Sequence, residues 1–287
     1  MSPHALTLVL VAALCHALWN LSAKQVVGDG RLVVFCYAVA SLVIWTPVTV
    51  VWLVAHHQSL AWAWLLGAAV SGVLHAAYGT VLQHGYAVGD LNLVYPTARG
   101  VGPLVTLVVA IGVLGERLSA AEAAGALVIL AGIAVITVPA RPSLHTARQR
   151  RGLVWGAATG LSIAAYTLWD NHAVNGLHVP PLPYFTLSLA FQALPFVPRA
   201  MALRPRLGEV RRRNRNQILV VAVLSPLAYV LVLEAMRLAP VGLVAAARET
   251  SIVVGALLGY VILREPHPTR RFVGAAVVLG GIALLVS

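Results

Sequence analysis

Two arginines, Arg99 and Arg248, stand inside long apolar runs. An arginine at the centre of a membrane-spanning helix costs at least ~2.5 kcal/mol on insertion scales, so a guanidinium there marks a site by default. Its planar fork of donors suits a carboxylate or a phosphate. Arg99 comes eight residues after Leu91, which puts it about 12 Å along its run at ~1.5 Å per residue. The alternative is that each arginine pairs with an internal acid or with carbonyls and only locks helices together. Glu249 is adjacent to Arg248 and Glu234 lies one span away, so Arg248 has candidate partners. Arg99 has no acid in its own run.

Other residues in the apolar runs could join such a site. His16, Trp19 and Asn20 fall near one face of a helix, because spacings of three and four align. With Tyr78, Tyr95 and Trp169 they complete the candidate substrate-binding set around Arg99 and Arg248. Glu249 and Glu234 are the candidates for proton coupling, since an intramembrane carboxylate facing a wet cavity can take up and release a proton. Asp170–Asn171–His172 reads instead as solvated polarity at a helix end. Pro96 and Pro103 bracket Arg99, and two prolines seven residues apart are expected to kink or break the helix there. No HExxH set, no Ser/His/Asp constellation, no paired carboxylates and no GxxxxGKS/T loop occur, so no metal, cofactor, catalytic residue or ATP site is expected. Cys15 and Cys36 both lie inside apolar runs and imply neither a disulfide framework nor a metal site.

The elements that must position these residues follow from composition. The chain of 287 residues is 60% hydrophobic and 10% charged, with a mean hydropathy of +0.86. A soluble domain averages about 25% charged residues. The expected fold is therefore an all-α integral membrane protein whose partners are the lipid bilayer and a small-molecule substrate. The net charge of +11 comes from basic residues between apolar runs, which favours membrane orientation over nucleic-acid binding. The first run lacks a basic leader and reads as a span rather than a cleaved signal. A monomer and a homodimer are both compatible with the sequence.

Ten spans are read, near 4–24, 32–54, 62–84, 92–114, 119–139, 152–173, 182–203, 217–238, 241–263 and 269–286. A shift of about 149 positions lays Arg99 on Arg248, Glu116 on Glu265, Gly125 on Gly274 and Gly132 on Gly281. Trp19–Asn20 lies on Trp169–Asp170, and Tyr78 on Tyr229, with a small change of offset. The organisation is thus a first repeat (1–140, spans one to five), a basic connecting loop (141–151) and a second repeat (152–287, spans six to ten). An odd number of spans per repeat inverts the second copy, and inverted repeats place a shared site near the midplane. Small-residue strips at Gly152, Gly156 and Gly160 and at Gly255 and Gly259 are expected to let helices approach closely. The connections after the odd-numbered spans hold sixteen of the twenty basic residues. The positive-inside rule puts those loops in the cytoplasm and both termini outside a bacterial cell membrane.

The segment LGERLS (Leu114–Ser119) followed by GALVILAGI (Gly125–Ile133), with the early Trp19 and Lys24, resembles the EamA family of the drug/metabolite transporter superfamily. The resemblance covers essentially the whole chain. It departs in the second copy, where LREP (Leu263–Pro266) replaces LGER and Val174 stands at the place of Lys24. The resemblance implies a secondary transporter working by alternating access, often an exporter of amino acids, other metabolites or drugs. Relatives are commonly drawn with both termini in the cytoplasm, against the charge pattern here. The expected function is transport, not enzymatic, of small polar or anionic metabolites. The alternative is multidrug efflux of hydrophobic or cationic compounds. Glu116 reads as a structural acid at the joint of spans four and five.

Overall fold

The computed structural model describes residues 1–23, 25–28, 30–137, 147–255, 257 and 268–286. Lys24, Arg141, Gly259 and Leu263–Pro266, with Glu265, lie outside the described residues. Every regular element among the described residues is helical: α1 Pro3–Ala23, α2 Gly30–Ala55, α3 Trp62–Val88, α4 Leu91–Gly112, α5 Ala120–Thr137, α6 Ala147–Asn171, α7 Pro181–Ala193, α8 Val197–Ala202, α9 Arg204–Arg213, α10 Arg215–Met236, α11 Val241–Arg248 and α12 Pro268–Val286. Five of these helices are by themselves long and apolar enough to cross a bilayer, and α5 and α12 add shorter apolar stretches. Large apolar side chains such as Val43 (68%), Val51 (68%) and Val54 (70%) point outward. In water that would be costly, whereas lipid tails accept it, and the chain is a multi-pass membrane protein.

The sequence-derived spans differ from the helices in instructive ways. The seventh is interrupted: α7 gives way to a tight turn at Leu194–Phe196 before α8, where Pro195 and Pro198 withhold backbone donors. The sixth continues past Asn171 into a wide π-type turn at His172–Gly176. The fourth was expected to kink or break near Arg99, and it does not break: α4 stays helical through Pro96 and Pro103. The reason lies in α6. A Cβ on Gly156 would stand 2.7 Å from Thr97 Cβ, and one on Gly160 would stand 2.7 Å from Val101 Cβ. The glycine strip lets α6 lie flush along α4 and brace it. The interruption falls instead in the other half. After Arg248 the helix tightens into a turn at 249–250 and resumes over 251–255. There Glu249 N donates to Ala246 O and Thr250 N to Ala247 O, bonds to the third residue back rather than the fourth. A Cβ on Gly255 would meet no atom within 4 Å among the described residues, and its expected companion in the strip, Gly259, lies outside them.

Contacts between connections sort the molecule into two ends. At one end, Met1 N donates to Glu122 Oε1 (2.9 Å) and Leu285 O (2.6 Å). Glu116, at the α4–α5 connection, and Asn175, after α6, both reach the region where α10 joins α11. At the other end, Asn214 exchanges hydrogen bonds with the backbone of Val27, and Arg148 binds Asp90 at 2.8 Å. The expected role of Glu116 as a joint between spans four and five is therefore revised. Its carboxylate accepts from Val241 N (2.7 Å) and Gly242 N (3.3 Å), capping the first turn of α11. Those amides have no partner within the helix, and a carboxylate there also meets the positive end of the helix dipole.

Candidate functional site

The centre of the bundle is built on the interruption after α11. Glu249 is 1% exposed and stands between both arginines. Its Oε2 lies 2.9 Å from Arg99 Nε, and its Oε1 lies 3.9 Å from Arg248 Nε. Arg99 Nη2 also donates to Ser251 Oγ at 3.1 Å. The acid that Arg99 lacks in its own helix thus comes from the other half of the chain. The pairing is by proximity of charge: neither guanidinium Nε nor either carboxylate oxygen has aligned hydrogen-bond geometry. One carboxylate serves two guanidinium groups, so the triad carries one positive charge in excess.

Around it lie several of the residues singled out from sequence. His16 is within electrostatic reach of both Arg99 and Arg248 and meets Trp19 edge to face, with ring centres 4.9 Å apart. Tyr78 and Tyr95 act on Arg99 over similar range. Asn20 turns back and donates to His16 O at 2.9 Å, so its amide is spent on its own helix. Trp169 donates its indole N–H to Gly67 O at 3.0 Å, which ties α6 to α3. Glu234 does not partner Arg248. It is 39% exposed at the end of α10 and pairs with Arg237 at 3.2 Å, because three residues of helix bring them to one face.

A second polar centre lies alongside, and the sequence reading missed it. Asp170 was expected in solvent at a helix end, but it is fully buried. Its carboxylate accepts from Tyr184 (2.6 Å) and from Tyr229. His75 Nδ1 bonds Ser71 O at 2.9 Å, which turns Nε2 toward Asp170 Oδ2 at 3.9 Å. The His75 ring stacks on Tyr166, with centres 4.2 Å apart. Tyr166 and Tyr229 are in turn within electrostatic reach of Arg248, so the two centres are neighbours. The available signal was the repeat itself: Asp170 occupies the position of Asn20, an acid where the first copy has an amide. The wide turn after α6 also keeps the chain packed past Asp170, with Ala173 and Val174 buried. A recess of about 460 Å³ opens at the end that carries the termini, lined in part by Glu116, Leu168, Asn171, His172 and Pro240.

The described helices thus enclose two arginines, a glutamate and an aspartate among apolar spans, a charged centre within a membrane protein. Residues 150–287 match the model of the EamA-like transporter family. That stretch is a little under half of the chain, and over it the chain is similar to a family of membrane transporters. Among solved structures, 29 chains match. One, described as the crystal structure of a protein, is 18% identical and superposes with a TM-score of 0.73 over 98% of this chain and 96% of that one. A likeness at that identity speaks for the fold alone. No curated protein sequence matches the chain significantly.

Proposed function

We propose that this protein is a secondary active exporter of small anionic or polar metabolites, amino-acid-like compounds or organic acids, working by alternating access. The observation that carries the reading is the unequal triad. Arg99 and Arg248 share the single carboxylate of Glu249. A buried charge without a full partner costs several kcal/mol, by order of magnitude. A substrate carboxylate between the two guanidinium groups offsets that cost, and a cation adds to it. Multidrug efflux of cationic compounds is the weaker reading for this reason. It needed a second acid on Arg248, and Glu234 is engaged by Arg237.

Two inverted five-helix repeats, ten spans in all, fit this mechanism. In support, α5 and α12 cross through glycines in a reciprocal manner: Gly125 meets Gly281 and Gly132 meets Gly274. Since Gly125 corresponds to Gly274 and Gly132 to Gly281, each contact is the image of the other, as a two-fold axis between the repeats requires. The pairing of α1 with α10 likewise mirrors that of α6 with α3. The sorting of connections into two ends supports the same topology. The arginine-rich end faces the cytoplasm under the positive-inside rule, and both termini then lie outside a bacterial cytoplasmic membrane.

Charge also bears on coupling. Asp170 offsets the excess charge of the triad only from a distance, its carboxylate being engaged by Tyr184 and Tyr229 rather than by either arginine. An added anion leaves the interior one charge negative, and a proton on the Asp170–His75 pair restores neutrality. Proton coupling is accordingly assigned to Asp170 with His75 in preference to Glu234.

The deciding experiment loads proteoliposomes with labelled amino acids and small organic acids in one arm, and with a cationic dye in the other. Efflux of an anionic or zwitterionic compound that is lost in Arg99→Ala supports the reading. Efflux of the dye that is unchanged in Arg99→Ala overturns it.

A further inference from the structure

Away from the central site, a groove of about 950 Å³ runs between α2, α9 and the start of α10 at the arginine-rich end. From α9 and α10 it is lined by Arg204, Leu207, Gly208, Arg211, Arg212 and Arg215, followed one turn on by Ile218 and Leu219. Leu207, Gly208, Arg211 and Arg212 are spaced three, four, seven and eight residues from Arg204, which is one stripe of α9, and Arg215 opens α10 beside it. The only acid of α9, Glu209, falls off that stripe. All four arginines are exposed, and none forms an ion pair with a carboxylate among the described residues. The basic wall therefore faces the groove without an internal counter-charge.

The opposite wall has the other chemistry. Phe35, Val39 and Val43 follow one another at intervals of four along α2, an apolar strip about 12 Å long at ~1.5 Å per residue. Val39 and Val43 are exposed, and Leu219 on α10 faces the same space. The strip starts near the basic end and runs toward the middle of the bundle. The groove is also held in shape. Asn214, 1% exposed, sits between α9 and α10 and fixes their junction to the connection before α2, with Val27 N donating to Asn214 Oδ1 (2.9 Å) and Asn214 Nδ2 to Val27 O (3.1 Å).

Fixed positive charge at the membrane surface, continuous with an apolar strip descending into the bilayer, is the complement of one kind of molecule. We propose that this groove binds an anionic phospholipid of the same leaflet, its phosphate held by Arg211, Arg212 and Arg215 and an acyl chain laid along Phe35, Val39 and Val43. Arginine forks suit a phosphate's paired oxygens, and basic residues at a leaflet surface favour anionic headgroups. The site is separate from the substrate centre and does not rest on the transport reading.

The test is native mass spectrometry of the full-length protein in detergent, with phosphatidylglycerol or phosphatidylcholine added. Phosphatidylglycerol is expected to give the dominant one-lipid adduct. Its affinity is expected to fall about a hundredfold in the triple variant R211Q/R212Q/R215Q, since each basic residue near an anionic lipid contributes a factor of about five. Val39→Trp, which fills the apolar strip, is expected to weaken both lipids. The control variant R206Q/R213Q lies off the stripe and is expected to bind as wild type. A single thermal transition like that of wild type shows that each variant is folded. Equal binding of the two lipids overturns the proposal. So does retention of phosphatidylglycerol by the triple variant, equal loss in the control, displacement of the lipid by millimolar inorganic phosphate, or a dimer that the triple variant abolishes.

Discussion

Glu249 Oε2 lies 2.9 Å from Arg99 Nε, so the arginine of one half of the chain is held by the acid of the other. The same carboxylate reaches Arg248 at 3.9 Å. The pair is a latch between the halves as well as the middle of the proposed substrate site. Any movement that separates the halves must exchange this contact for another, and a substrate carboxylate is the natural replacement.

Glu249→Gln removes the one carboxylate shared by two buried guanidinium groups. Breaking a buried pair from one side costs about 3–5 kcal/mol. The variant is expected to melt at a lower temperature than wild type in detergent, with transport reduced. A thermal shift assay checks it, and a melting temperature equal to that of wild type contradicts the latch.

Arg99→Lys separates charge from shape. Lysine keeps the positive charge but not the planar fork that can hold a carboxylate by two bonds. Expression close to wild type with transport about tenfold lower in apparent affinity is expected, one fork geometry being worth roughly 1–2 kcal/mol. Uptake kinetics in proteoliposomes measure this directly. Full activity in the lysine variant would leave only a role for charge.

Asp170→Asn keeps a polar group against Tyr184 and Tyr229 but cannot exchange a proton. Substrate counterflow, which needs no net proton movement, is expected to continue. Accumulation driven by a pH gradient is expected to stop. Equal gradient-driven transport in wild type and variant removes Asp170 from the coupling step.

The glycine strip of α6 gives a prediction about stability. A Cβ on Gly156 would stand 2.8 Å from Val94 O and 2.7 Å from Thr97 Cβ, both on the helix that carries Arg99. Gly156→Ala is expected to destabilise by about 1–3 kcal/mol, the usual cost of overpacking. Gly255→Ala meets no atom within 4 Å among the described residues and is expected to be close to neutral. Parallel thermal melts compare the two.

Glu116 closes the first turn of α11 at Val241, seven residues before Arg248 on the same helix. Glu116→Ala leaves two amides without their acceptor, a loss of about 1 kcal/mol by analogy with cap substitutions. A modest fall in melting temperature is expected, together with weaker substrate binding, because the helix that presents Arg248 is loosened at its origin. Retained binding with lowered stability would limit Glu116 to a structural part.

Much of this molecule was written along the chain. The apolar runs dictate helices in lipid, since only internal hydrogen bonding satisfies the backbone there. The recurrence of Arg99 as Arg248 and of Gly125 and Gly132 as Gly274 and Gly281 is the sequence signal for the proposed repeat, and the glycine spacing of α6 marked its packing face. All of these are patterns that can be read along the chain without knowing which parts touch. What the order of residues could not convey was the choice of partner across the bundle. Three carboxylates, Glu234, Glu249 and Asp170, looked alike as acids in or near apolar spans. Packing gave one to Arg237 at the surface, one to two buried arginines, and one to a pair of tyrosines. Likewise two prolines pointed to a kink or break beside Arg99, but close contact with α6 kept α4 helical throughout, and the interruption came at Glu249, where no proline or glycine announces it. Local chemistry fixed which groups had to be satisfied, and only the three-dimensional fold decided by whom, because the partner in each case comes from a distant part of the chain or from the surface a helix end happens to reach.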